Sequence, residues 1–287
     1  MFDVVRGWVD RFLSEEEAVL LAAILIVSAV VILTMGKILA PLFTGIVLAY
    51  VMQGSIKTFE RFTPKAVAVW CTFLLFMGGF VSVVLFVIPK VWRQMRSLFD
   101  NLPTMVHEAQ ALLQTLPKSY PQLISEQLAN SWGDMLNTEA ADIGQWLVSA
   151  SISQLPLILA VSVYIMLVPI LVFFLLKDQA KITAWCASFL PEKRPLIDRI
   201  GAEMNIQMAN YIRGKVLEII LVGVATYILF KLYGLNYAAL LAFLVGLSVV
   251  VPYVGIVAVS VPVVIIGWLQ FGFSGELFYL LIWYGVL

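Results

Sequence analysis

Charge is scarce in this chain: aspartate, glutamate, lysine and arginine make up 13% of its 287 residues, about half the share usual in soluble domains. Eighteen basic residues balance eighteen acidic ones. With no net field to gather a polyanion, no nucleic-acid partner is expected. Histidine occurs once, as His107, and cysteine twice, as Cys71 and Cys186. One histidine and two distant thiols have no metal-ligand spacing, so no metal site is expected, and the thiols read as reduced and inert.

The catalytic signatures are missing too. The sequence contains no H-E-x-x-H, no G-x-x-x-x-G-K-[ST] and no G-x-G-x-x-G, which leaves zinc protease, ATPase and dinucleotide enzyme without support. "GFSG", Gly272 to Gly275, matches the serine motif of rhomboid-type proteases. That chemistry needs a histidine base within hydrogen-bond reach, and His107 stands among polar neighbours in an amphipathic stretch. Ser274 therefore reads as a turn residue. Neither an enzyme nor a cofactor is expected.

What is abundant is apolar sequence, 62% of the chain, with a mean hydropathy of +0.97. A spanning helix needs roughly 20 apolar residues. Nineteen uncharged residues separate Glu17 from Lys37, and nineteen more separate Lys37 from Lys57. Gly36 and Pro41 bracket the junction, which predicts two helices in a tight hairpin. Ala66 to Pro89 predicts a third span, Leu155 to Leu176 a fourth and Val216 to Tyr233 a fifth. Ahead of them, "MFDVVRGWVDRF" puts Phe2, Val5, Val9 and Phe12 on one face and predicts a short interfacial helix. Ser14 and Glu17 follow at capping-box spacing.

Residues 90–150 differ in pattern. Leu102, Met105, Val106, Ala109, Leu112, Leu113 and Leu116 recur at helical spacing, and so do Leu128, Trp132, Met135 and Leu136. This predicts an amphipathic helical lobe. It leans on the bilayer through Trp132 and Trp146, or forms a bundle with its own core; periodicity leaves both open. The expected organisation is thus an interfacial helix and membrane helices 1–3 in residues 1–89, and the lobe in 90–150. Further membrane helices, a cytoplasmic segment 177–215 and a broken hairpin at 235–270 fill 151–287. The fold class is all-α, a polytopic membrane protein.

The broken hairpin lies in the 44 charge-free residues from Leu232 to Gly275. "VPYVG", Val251 to Gly255, sits near the middle. Pro252 removes a backbone donor, and Gly255 is expected to supply a conformation other residues avoid. Arms of seventeen residues, Leu235–Val251 and Val254–Gln270, would each be about 25 Å long, short of a roughly 30 Å hydrocarbon core. Two short arms with such a tip fit a V that stops partway better than two full spans, and the tip's backbone groups would then need protein, water or a solute; spacing alone also allows a conventional surface turn. Glu203, Gln207, Asn210, Gly214 and Glu218 share one face of the preceding helix. They read as a polar entry to a path, or as a solvated face in which Lys215 pairs with Glu218.

Several landmarks fall in order: "FFLLKD" (Phe173 to Asp178), "LPEKR" (Leu190 to Arg194), "NYIRGKVLE" (Asn210 to Glu218), "YGLNYAALLAFLVG" (Tyr233 to Gly246) and "VPYVG". In these the chain resembles the autoinducer-2 exporter family, the PerM-like permeases. The resemblance implies a bacterial inner-membrane transporter of a small solute, with autoinducer-2 export in some members and sodium/proton antiport in others. It also implies a further C-terminal apolar hairpin, beyond the segment that begins at Leu277. The expected path comprises Asn210, Gly214, Glu218, Pro252, Tyr253 and Gly255. The expected partners are the lipid bilayer, a small solute or ion and, as a homo-oligomer, further copies of the chain. A non-transporting envelope scaffold that binds proteins through 90–150 is the alternative from another class.

Lysine and arginine set the expected orientation. With the N-terminus in the cytoplasm, segments 1–17, 57–65 and 177–215 hold twelve basic residues against six elsewhere, the arrangement the positive-inside rule favours. In a thiol-free background, a cysteine at Ser119 should therefore react with an impermeant reagent added to whole cells. Labelling at Gln179 but not at Ser119 would reverse the orientation.

Overall fold

In a computed structural model of the chain, residues 16–119, 154–191 and 194–287 are described, with the single positions 125, 127, 131, 133 and 135. The expected interfacial helix at 2–12, the Ser14 cap, and Trp132 and Trp146 of the lobe lie outside the described residues. Among the described residues there are nine α-helices, one π-helical turn and no strand. They are α1 (Glu16–Phe59), α2 (Lys65–Ser82), the π turn (Val83–Val87), α3 (Ile88–Ser119) and α4 (Gln154–Lys177). After these come α5 (Gln179–Ala187), α6 (Pro195–Leu232), α7 (Ala238–Ser248), α8 (Val254–Phe271) and α9 (Gly275–Val286). Among the described residues, four helical segments are long and apolar enough to cross a membrane: Val19–Phe59, Lys65–Ala111, Ala160–Lys177 and Val254–Phe271. The chain is an all-α, polytopic membrane protein.

Helix α1 departs from expectation. It runs unbroken for 44 residues through Gly36, Lys37 and Pro41, about 66 Å at the α-helical rise. The expected hairpin turn between Gly36 and Pro41 is absent. A proline costs a helix one hydrogen bond, here the one to the carbonyl of Lys37, and does not by itself reverse the chain. Thr34 and Thr44 turn their hydroxyls back onto the carbonyls of Val30 and Ala40 at 2.7 and 2.9 Å, which satisfies both groups within the helix. The π turn has a comparable local cause. It lies in the turn before Pro89, whose ring crowds the carbonyl four residues back, and the Ile88 N–H bonds Val83 O instead.

The described residues fall into two units, Met1–Gly78 with Ala160–Gly214, and Gly79–Leu159 with Lys215–Leu287. In the first, Ala49, Met52 and Ile56 of α1, Ala68 and Val69 of α2, and Val168, Val172 and Leu176 of α4 form one buried cluster. A Cβ on Gly45 would come within 3.1 Å of Leu171 Cβ, so α1 and α4 touch closely there. Trp70 and Phe73 pack on Phe173, with ring centroids 4.9 and 5.0 Å apart. Arg194 donates to the Ala187 carbonyl at 2.6 Å and pairs with Asp198 at 2.9 Å. That one side chain closes the end of α5 and supports the first turn of α6.

In the second unit the core is Phe230 of α6, Leu235, then Ala238, Leu241, Ala242 and Val245 of α7, with Val263 and Ile266 of α8 and Leu280 of α9. Leu98 and Met105 of α3 pack against this cluster. Helices α6 and α7 meet backbone to backbone: a Cβ on Gly246 would lie 3.1 Å from both Gly223 Cα and the Ile219 carbonyl oxygen. Such contact lets apolar helices associate through close packing where lipid supplies no hydrophobic driving force between them. Helix α8 ends within one residue of its expected arm. Helix α7 is shorter than its arm, eleven residues, about 16 Å, because Gly234 (φ 66°) and Tyr237 (φ 58°) turn the chain before it.

Candidate functional site

The second unit holds both parts of the candidate site, the break between α7 and α8 and a polar cleft at the far end of the same two helices. At the break, the chain turns through Val249–Tyr253. Tyr253 has φ 61° and ψ −57°, and the Val254 N–H bonds the Pro252 carbonyl at 2.7 Å. This is a γ-turn with positive φ, a rare and strained conformation. The positive φ therefore falls on Tyr253, not on Gly255 as the sequence suggested. Gly255 is required for a different reason. A Cβ there would overlap the Ser248 carbonyl oxygen and lie 2.8 Å from its carbon. Only a glycine lets the first turn of α8 lie against the last turn of α7.

Backbone donors at the tip find partners within the chain. Val250 and Val251 donate to the carbonyls of Leu247 and Ser248 at 3.1 and 3.0 Å, and Gly255 donates to Val251 at 3.1 Å. Of the expected partners, protein, water or a solute, it is the protein's own tight turns that supply acceptors for these three N–H groups. Pro252 and Tyr253 are exposed, Tyr253 at 86%.

The remaining expected path residues lie on α6. Glu218 is half exposed and accepts from Lys215 Nζ at 2.9 Å. No hydrogen bond or ion pair among the described residues joins it to the Pro252–Gly255 turn. Asn210 and Gly214 belong to the first unit. Both are exposed, and nothing lies within 4 Å of a Cβ built on Gly214.

Residues that sequence reasoning passed over form the polar cleft. Gln270, in the last turn of α8, clamps the loop before α7: its Oε1 accepts from Asn236 N at 2.7 Å and its Nε2 donates to the Gly234 carbonyl at 2.8 Å. The N-terminus of α7 starts at Tyr237, whose side chain does not cap it. Gln94 of α3 does so instead, accepting from Leu240 N at 2.8 Å, and so fills one of the unpaired donors at the helix start. Asn101 Nδ2 donates to Tyr237 Oη at 3.1 Å.

These contacts frame a cleft of about 500 Å³ lined by Arg93, Gln94, Ser97, Asn101, Asn236 and Tyr237. A second hollow of about 230 Å³ shares Asn101, Asn236 and Tyr237 and reaches Glu108 and Gln270. The Asn236 amide, Arg93 and Glu108 make no side-chain hydrogen bond or ion pair among the described residues. The cleft thus offers free amide, cationic and anionic groups on a pinned backbone, the arrangement that orients a small polar ligand. A signal was available in the sequence. Asn236 and Gln270 are the only side-chain amides in the 44 charge-free residues, and they flank the hairpin.

The profile of the AI-2E family transporter matches residues 20–287. The chain belongs to this family. It is 36% identical over 254 residues to PerM of Escherichia coli (strain K12), which carries the name permease; the match covers 86% of this chain and 70% of PerM. It is also 24% identical over 237 residues to YueF of Bacillus subtilis (strain 168), named as a transport protein, across 80% of this chain and 64% of YueF.

The clamp gives a direct expectation. Gln270→Ala removes two hydrogen bonds, each worth about 0.5–1.5 kcal/mol net, and should lower the thermal unfolding midpoint in detergent. Gln270→Glu keeps an acceptor for Asn236 N and should fall between the two. An unchanged midpoint in Gln270→Ala would show that the clamp is not formed.

Proposed function

We propose that this chain forms part of a secondary transporter that exports a small polar solute across the bacterial inner membrane. The observation that carries this reading is the polar cleft at the end of a broken-helix hairpin, in a chain of a transporter family. Discontinuous helices place pinned backbone and polar side chains where a substrate can meet them. In this reading the solute engages Asn236, Asn101 and Tyr237, and the path also draws on Glu218 and the Pro252, Tyr253 and Gly255 turn of the same unit. The chain works as a homo-oligomer with segments 57–65 and 177–215 in the cytoplasm; the unbroken α1 then begins on the opposite side, in place of the cytoplasmic N-terminus expected from a hairpin at Gly36–Pro41. No reaction is catalysed and no cofactor takes part.

The test is flux through the full-length protein in proteoliposomes, with autoinducer-2, sodium and protons as probes. Asn236→Leu should cut flux of the transported probe roughly tenfold, the equivalent of about 1.4 kcal/mol, at unchanged protein level. Glu218→Gln should reduce flux or alter its dependence on pH while protein level stays unchanged, since losing an exposed ion pair costs only about 0–1 kcal/mol of stability. Sodium-driven proton movement without autoinducer-2 flux would assign antiport. Absence of flux for every probe, with the protein folded, would favour the scaffold reading.

A further inference from the structure

A side chain outside the cleft presents a different chemistry. Arg213, on α6 in the first unit, is half-buried, and its Nε is enclosed with no hydrogen-bond partner. No hydrogen bond or ion pair among the described residues takes its Nη groups either.

Its surroundings are shaped to hold it. Gly54 of α1 faces it, and a Cβ there would lie 3.3 Å from Arg213 Cδ and 3.7 Å from Nη1. The missing side chain leaves a cradle for the arginine stem. Between the same two helices, Tyr50 Oη donates to Asn205 Oδ1 at 2.8 Å. That bond ties α1 to α6 without engaging Arg213. A cation held half-buried and unpaired in a membrane protein marks a site for a partner.

Depth identifies the partner. Arg213 stands just before the apolar run of α6 that begins at Val216, and Gly54 stands one turn before Lys57, where the apolar run of α1 ends. Both helices leave apolar sequence at this level, where phosphodiester oxyanions of the lipid headgroups lie. Arginine matches a phosphate with two parallel N–H donors. With Nε enclosed, the Nη pair is the edge left to supply them. We propose that Arg213 and Gly54 form an oxyanion site that holds the phosphate of an anionic phospholipid, with Lys57 adding positive charge at the same level.

The experiment uses the full-length protein in nanodiscs and follows the thermal unfolding midpoint. Wild type should unfold at higher temperature when phosphatidylglycerol replaces part of the phosphatidylcholine. Arg213→Gln should lose that shift, and Arg213→Lys should keep a part of it as a point charge. A rise with inorganic phosphate in pure phosphatidylcholine, absent from Arg213→Gln, would retain the oxyanion site and assign it a soluble source. Equal shifts in wild type and Arg213→Gln, or no shift with either probe, would overturn the proposal. If Arg213→Gln does not fold, Gly54→Ala takes its place, because it crowds the guanidinium without removing it and should weaken the shift.

Discussion

The approach of Gly255 to the Ser248 carbonyl is the contact on which the second unit depends. Helix α7 is too short to span a bilayer and ends in apolar sequence. Its continuation has to fold back at once or leave unpaired carbonyls and N–H groups in lipid, at a cost of several kcal/mol each. The γ-turn at Tyr253 makes the reversal in the fewest residues, and the bare α-carbon of Gly255 lets α8 start against the end of α7. From there α8 runs back for 18 residues, enough to bring Gln270 to the loop that precedes α7. Tip and clamp are thus two ends of one hairpin. The polar cleft exists because both are closed.

That arrangement bears on transport. Strain at Tyr253 and a clamp of ordinary hydrogen bonds put a stiff end and a yielding end on the same element. A hinge of this kind moves by breaking bonds worth about 1 kcal/mol each, whereas the Gly255 contact is steric and does not yield gradually. Motion that opens the cleft is therefore expected at Gln270, while the tip keeps its shape. The oxyanion site proposed at Arg213 would act separately, by fixing the first unit at headgroup level.

Much of this was legible in the sequence. Charge-free runs located the long apolar helices, and the proline and glycine of "VPYVG" located the break to within a residue or two. The start of α8 was legible because Pro252 cannot continue a helix. Other features were not, for physical reasons. Gly36 and Pro41 look like a turn, but a helix absorbs both when nothing packs the two halves together. Gly255 reads as a residue of unusual backbone angles, yet its role is proximity to Ser248, a contact between residues that sequence spacing alone does not resolve. The cleft stayed hidden because Gln94 and Asn101 belong to an amphipathic stretch, where polar residues read as solvated. Only the fold shows them turned to α7.

The central claim, that contact at the tip holds the distant cleft closed, can be read by hydrogen–deuterium exchange. The Asn236 and Leu240 amides, bonded to Gln270 and Gln94, report on the cleft from the opposite end of the hairpin. In Gly255→Ala, the added methyl forces α8 away from Ser248, and both amides should exchange faster than in wild type while α1 and α4 keep their protection. Unaltered exchange at Asn236 and Leu240 in a folded Gly255→Ala protein would contradict the account.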